Sequence, residues 1–86
     1  MSDAPVRVWV VDDDHSVRWV LDQALGQAGM EPRCFDRGED FLDAIEADSA
    51  PDVVVTDVRM PGIDGLELMQ RLNRDHPELP VIVITA

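Results

Sequence analysis

The feature that most constrains this chain is a regular alternation of short β-branched runs with segments of helical spacing. Val6 to Val11 (VRVWVV), Val53 to Val55 and Val81 to Thr85 (VIVIT) are apolar at nearly every position, the pattern of strands covered on both faces. After the first run, Val17, Val20, Leu21, Ala24, Leu25 and Ala28 recur at helical spacing and stop at Gly29, a residue suited to a helix C-terminus. Met30 to Phe35 can form a second strand, and Pro32 places it at an edge, where a missing N–H does no harm. Phe41, Leu42 and Ile45 mark a helix from about Gly38 to Ala47. A third helix, capped by Asp64, carries Leu66, Met69 and Leu72 and ends at about Asp75.

The order β-α-β-α-β-α-β predicts a parallel sheet with right-handed crossovers and helices on both faces. All C-terminal strand ends then lie along one edge, and open α/β sheets bind ligands there. The chain has 86 residues, enough for one small domain and no more.

Eighteen acidic residues against seven basic ones give a net charge of −11, which argues against direct contact with nucleic acid or an anionic membrane. All seven basic residues are arginine, and lysine is absent. Cys34 is the one cysteine, so no internal disulfide can form and a thiolate metal site is disfavoured. The N-terminus has no leader pattern and no run approaches a membrane span, so a soluble, cytoplasmic protein is expected.

The first apolar run ends abruptly on Asp12, Asp13 and Asp14, and the third ends on Asp57. In a sheet of order 2-1-3-4, strands 1 and 3 are neighbours about 4.8 Å apart, so Asp12, Asp13 and Asp57 converge on one small site. Converging carboxylates repel, and either one stays protonated or a divalent cation neutralises the group. Oxygen donors without imidazole or thiolate favour Mg²⁺ over zinc. Asp14 is the natural cap for the helix that follows. His15 and His76 read as a surface residue and a helix-end residue, and Trp9 and Trp19 as packing residues.

Three motifs, each after a strand, carry a resemblance: Asp12-Asp13 after VWVV, the segment Asp57 to Gly65 (DVRMPGIDG), which fits D-x-x-M-P-x-x-D-G in full, and Thr85-Ala86. The chain resembles the receiver domain of two-component response regulators, and WVVDDD, SVRWVL and DVRMPG are similar to the NtrC-type nitrogen regulators in particular. The resemblance implies a flavodoxin-like, doubly wound α/β fold. It makes Asp57 the acceptor of a phosphoryl group from a histidine of a sensor kinase. It places Mg²⁺ on Asp13, Asp57 and the main-chain carbonyl of Arg59, with Asp12 supporting through a water. It sets the Thr85 hydroxyl and the main-chain N–H groups of Val58, Arg59 and Ala86 against the phosphoryl oxygens.

Receivers of this family end in a fifth strand bearing a lysine and in two further helices. None of these occurs within residues 1–86, so the chain is expected to be the front part of a receiver. It is expected not to be an enzyme beyond self-phosphorylation and dephosphorylation, and to associate with itself through the Val81–Thr85 strand. ATPase and DNA-binding output domains would belong to a longer parent protein. Two other readings stay open. One is an interaction fragment that binds Mg²⁺ without efficient phosphorylation. The other is a phosphohydrolase, disfavoured because DDDHS lacks the D-x-D spacing of haloacid-dehalogenase-type enzymes and Asp57 is followed by VRM.

Overall fold

A computed structural model of the protein describes residues 4–84. Four strands and three helices alternate: β1 (Arg7–Val11), α1 (His15–Gln27), β2 (Glu31–Phe35), α2 (Gly38–Ala47), β3 (Val53–Asp57), α3 (Gly65–Asp75) and β4 (Val81–Ile84). The strands form one parallel sheet in the order β2-β1-β3-β4, a flavodoxin-like arrangement. β1 and β2 begin one residue later than the apolar runs, β3 continues past Val55 through Thr56 to Asp57, and Pro32 lies on the edge strand β2. The last expected strand residue, Thr85, lies outside the described residues.

Strand periodicity divides the sheet into two faces. On one, Trp9, Val11, Phe35 and Val54 are buried beneath Phe41, Ala44 and Ile45 of α2 and Leu68 and Leu72 of α3, residues set at helical spacing. Trp9, Phe35 and Phe41 meet in a triangle with ring centroids 5.3, 5.7 and 5.6 Å apart, two of the pairs edge-to-face. The guanidinium groups of Arg7 and Arg33 lie 5.5 and 5.1 Å from the Trp9 ring centroid. Arg7 also donates to the carbonyls of Ser49 and Ala50, which ties the chain entering β3 to β1.

On the other face α1 covers Val8 and Val10, and the cover stops there. No α1 residue is fully buried, so the helical stripe read from the sequence is only half used. Trp19, expected to pack, is 60% exposed, and Val20 is 55% exposed. The reason is geometric: α1 packs over β2 and β1, and between its outer flank and Ile84 of β4 lies an open apolar depression lined by Ser16, Val17, Val20 and Leu21. α1 closes with Gly29 in the left-handed region (φ 82°), where Gly29 N–H donates to Gly26 O and Met30 N–H to Leu25 O. These are the two hydrogen bonds of a Schellman ending.

Candidate metal and phosphoryl site

The register of the two central strands builds the site. Val10 pairs with Val55, so Asp12 and Asp57, each two residues further on, stand level on the same sheet face. Side-chain oxygens of Asp12, Asp13 and Asp57 lie within 4.8 Å of one another. Asp12 is 3% exposed and Asp57 9% exposed, whereas Asp13 is open to solvent. Asp13 forms one wall of a depression of about 470 Å³, with Val58, Arg59, Met60, Pro61 and Asp64 around the rest.

The loop after β1 is held at several points. Asp12 N–H donates to Phe35 O at 3.1 Å, the Asp12 carbonyl accepts from Arg18 Nη1 at 2.7 Å, and Asp12 Oδ1 accepts from Asp14 N–H at 2.8 Å. Asp14 Oδ1 in turn accepts from the N–H groups of Ser16 and Val17 and caps α1. His15 is the exposed first residue of α1, and His76 is the C-cap of α3. After β3, Thr56 Oγ1 donates to Asp57 O, Gly65 N–H donates to Val58 O, and Asp64 caps α3 by accepting from Glu67 N–H. No hydrogen bond among the described residues ends on the carboxylate of Asp13 or Asp57.

The main-chain N–H of Val58 donates to Ile84 O at 3.2 Å, because the β3–β4 ladder continues one residue past Asp57. Val58 therefore lines the depression with its N–H already committed. Arg59 lines the same depression. Thr85 and Ala86 lie outside the described residues. Arg18 was not singled out by sequence reasoning, although a cation one turn into α1, with no acidic residue in the first turn, is a signal that could have found it.

Burial, followed by the charges of Asp57, Asp13 and Asp14, pushes the Asp12 carboxyl above its ordinary value of 3.8, while the Asp14 N–H pulls it part of the way back. A raised acid pKa means that the fold favours protonated Asp12. That stability is present below the unfolded-state value and is lost as pH rises through the folded-state one. Asp12→Asn is therefore expected to be more stable than wild type at pH 7 without divalent ions, and the gap should close on acidification towards pH 4. Like charges about 4.8 Å apart repel by about 1 kcal/mol even at the dielectric of water, so the gap should be of that order or larger. Urea unfolding at the two pH values measures it.

Three oxygen donors on one small site, without Cys or His, suit a hard divalent cation that keeps some of its waters. Comparison with known proteins gives the family. The profile of the response regulator receiver domain family matches residues 8–86. The chain belongs to this family. The receiver is 52% identical over 79 residues to the DNA-binding transcriptional regulator NtrC of Escherichia coli K12, covering 92% of this chain and 17% of that protein. It is 43% identical over 83 residues to the C4-dicarboxylate transport transcriptional regulatory protein DctD of Pseudomonas aeruginosa, covering 96% and 18%. It thus spans less than a fifth of the length of these two relatives.

Solved structures agree. Response regulator TrrA of Thermotoga maritima, in complex with Mg²⁺–BeF, superposes with a TM-score of 0.88 at 32% identity, over 94% of this receiver and 70% of that chain. The BeF₃-activated receiver domain of nitrogen regulatory protein C gives 0.81 at 48% identity, over 96% and 66%. Among the described residues, no helix is long and apolar enough to cross a membrane.

Proposed function

We propose that this receiver takes a phosphoryl group from a histidine of a sensor kinase onto Asp57, with Mg²⁺ held by Asp13, Asp57 and the Arg59 carbonyl and supported by Asp12. The observation that carries this reading is the convergence of Asp12, Asp13 and Asp57 within 4.8 Å beside an open depression. An Asp57 carboxylate oxygen attacks phosphorus, the P–N bond to the donor imidazole breaks, and the ring nitrogen keeps the electron pair; the product is a mixed anhydride. Bound Mg²⁺ supplies the positive charge that lets carboxylates and phosphoryl oxygens share one site. Asp57, at the end of a buried strand, is held by the ladder and has little freedom to turn away. The Arg59 N–H, the Thr85 hydroxyl and the Ala86 N–H are the proposed contacts to the phosphoryl oxygens.

The receiver is in this reading a signalling module and not an enzyme with an external substrate. In a longer parent protein it would govern transcription, in nitrogen regulation by likeness to NtrC, through ATPase and DNA-binding output domains. The net charge of −11 leaves DNA contact to those domains. Copies of the described chain are proposed to associate through β4, an edge strand on which Ile82 is 52% exposed. Light scattering across a concentration series is expected to show mass rising above 9.6 kDa, and a constant monomer mass would contradict this.

Intact mass spectrometry with a small-molecule phosphodonor tests the main reading. One added phosphoryl group is expected with Mg²⁺ and none after chelation. No uptake with Mg²⁺ present would leave the interaction-fragment reading.

A further inference from the structure

Among the described residues Arg18 makes no ion pair although acid surrounds it, and like Arg7 it bonds main-chain oxygen; unlike Arg7, the oxygen it holds belongs to the acidic site. The ion pairs among the described residues are Arg33–Asp48, Arg71–Glu67 and Arg74–Asp75. Arg18, half-buried on α1, instead donates from Nη1 to the main-chain carbonyl of Asp12 at 2.7 Å. The bond is short and charge-assisted, and it reaches back six residues across the capped start of the helix. Position adds to the evidence. One turn into α1 the helix dipole disfavours a cation, and the first turn has no acidic residue to compensate. The Cys34 thiol of β2 donates weakly to Arg18 O, with Sγ 3.8 Å away, which links α1 to the sheet at this residue.

We propose that Arg18 is a positioning residue for the acidic site: by clamping the Asp12 carbonyl, it holds the loop carrying Asp12 and Asp13 in the geometry that takes up a divalent cation. This rests on the Mg²⁺ reading above. Three adjacent aspartates repel one another and Asp57, so a loop free to move would splay the carboxylates apart. A cation paired directly with Asp13 would hold the loop but would compete with the metal. Arg18 avoids that competition by bonding the main chain, so its charge lies near the cluster while the carboxylate oxygens stay available. Asp12 is then fixed through its N–H by Phe35 O, through its carbonyl by Arg18 and through its side chain by Asp14 N–H, and Asp13 is left facing solvent. A preorganised donor set binds more tightly than one that must be ordered on binding.

The test is calorimetric titration of Mg²⁺ alone into wild type, Arg18→Ala, Arg18→Gln and Arg18→Lys, with circular dichroism and metal-free urea unfolding of each. Arg18→Ala is expected to bind Mg²⁺ roughly ten-fold more weakly, the loss typical when a group orienting a metal ligand is removed. Arg18→Lys should recover part of the affinity, since an ammonium can still donate to the Asp12 carbonyl. A merely structural role would lower the urea midpoint and leave Mg²⁺ affinity within three-fold of wild type, which would overturn the proposal. Should Arg18→Ala not fold, Arg18→Gln is judged by the same three-fold limit. Wild type that takes up no Mg²⁺ would sink the underlying reading together with this one, whereas wild type and variants that bind alike would sink this one alone.

Discussion

Asp57→Asn is expected to abolish phosphoryl uptake while leaving a folded, more stable protein. The amide has no anionic oxygen to attack phosphorus, and no neighbouring group can replace it from the same place. Asp12 is almost fully buried, and its Oδ1 is engaged by the Asp14 N–H; Asp13 lies on the exposed wall of the depression. The substitution also removes one of three carboxylates within 4.8 Å, so repulsion falls at neutral pH. Urea unfolding without divalent ions should show a gain of about 1 kcal/mol or more. Loss of uptake then cannot be ascribed to loss of fold. Residual uptake by Asp57→Asn at the wild-type rate would mean that another residue accepts the phosphoryl group.

Gly65→Ala is expected to cost about 3 kcal/mol of stability and to damage the site at the same time. A Cβ at Gly65 would run into the main-chain oxygen of Asp57, lie 2.8 Å from its carbonyl carbon and 3.0 Å from Val58 Cα. All three are backbone atoms of the strand end, so no side-chain rotation relieves the overlap. Either α3 moves away from the sheet, uncovering Leu68 and Leu72, or Asp57 shifts from its place beside Asp12. Gly26→Ala is the matched control, because nothing lies within 4 Å of its Cβ and its helical backbone accepts alanine. It is expected to gain up to about 1 kcal/mol. Urea unfolding of both variants, with Mg²⁺ affinity measured in parallel, checks the pair. Equal stabilities would mean that α3 packs less tightly on the end of β3 than the structure indicates.

The contrast between these positions shows what the amino-acid pattern makes legible. The strands and their common C-terminal edge follow from apolar runs ending on Asp12 and Asp57, and the convergence of the carboxylates follows once the order 2-1-3-4 that goes with the resemblance is assumed. Asp14 and Asp64 are legible as caps because capping depends on residue type and position alone. Trp19 and Val20 mislead, since helical periodicity marks an apolar stripe without saying how far the sheet extends beneath it. The bond from Val58 N–H to Ile84 O is not legible either, because residue type does not encode how far β4 runs alongside β3. Arg18 is hidden because its partner is a main-chain carbonyl, and every residue has one.

The most direct test of the Asp57 assignment is chemical location of the phosphoryl group. The protein is incubated with Mg²⁺ and a small-molecule phosphodonor, reduced with borohydride, digested and sequenced by tandem mass spectrometry. An acyl phosphate on aspartate is reduced to homoserine, so conversion at Asp57, dependent on both Mg²⁺ and the donor, is the predicted result. Phosphate found on a serine or threonine, or reduction at Asp12 or Asp13 with Asp57 unchanged, would contradict it.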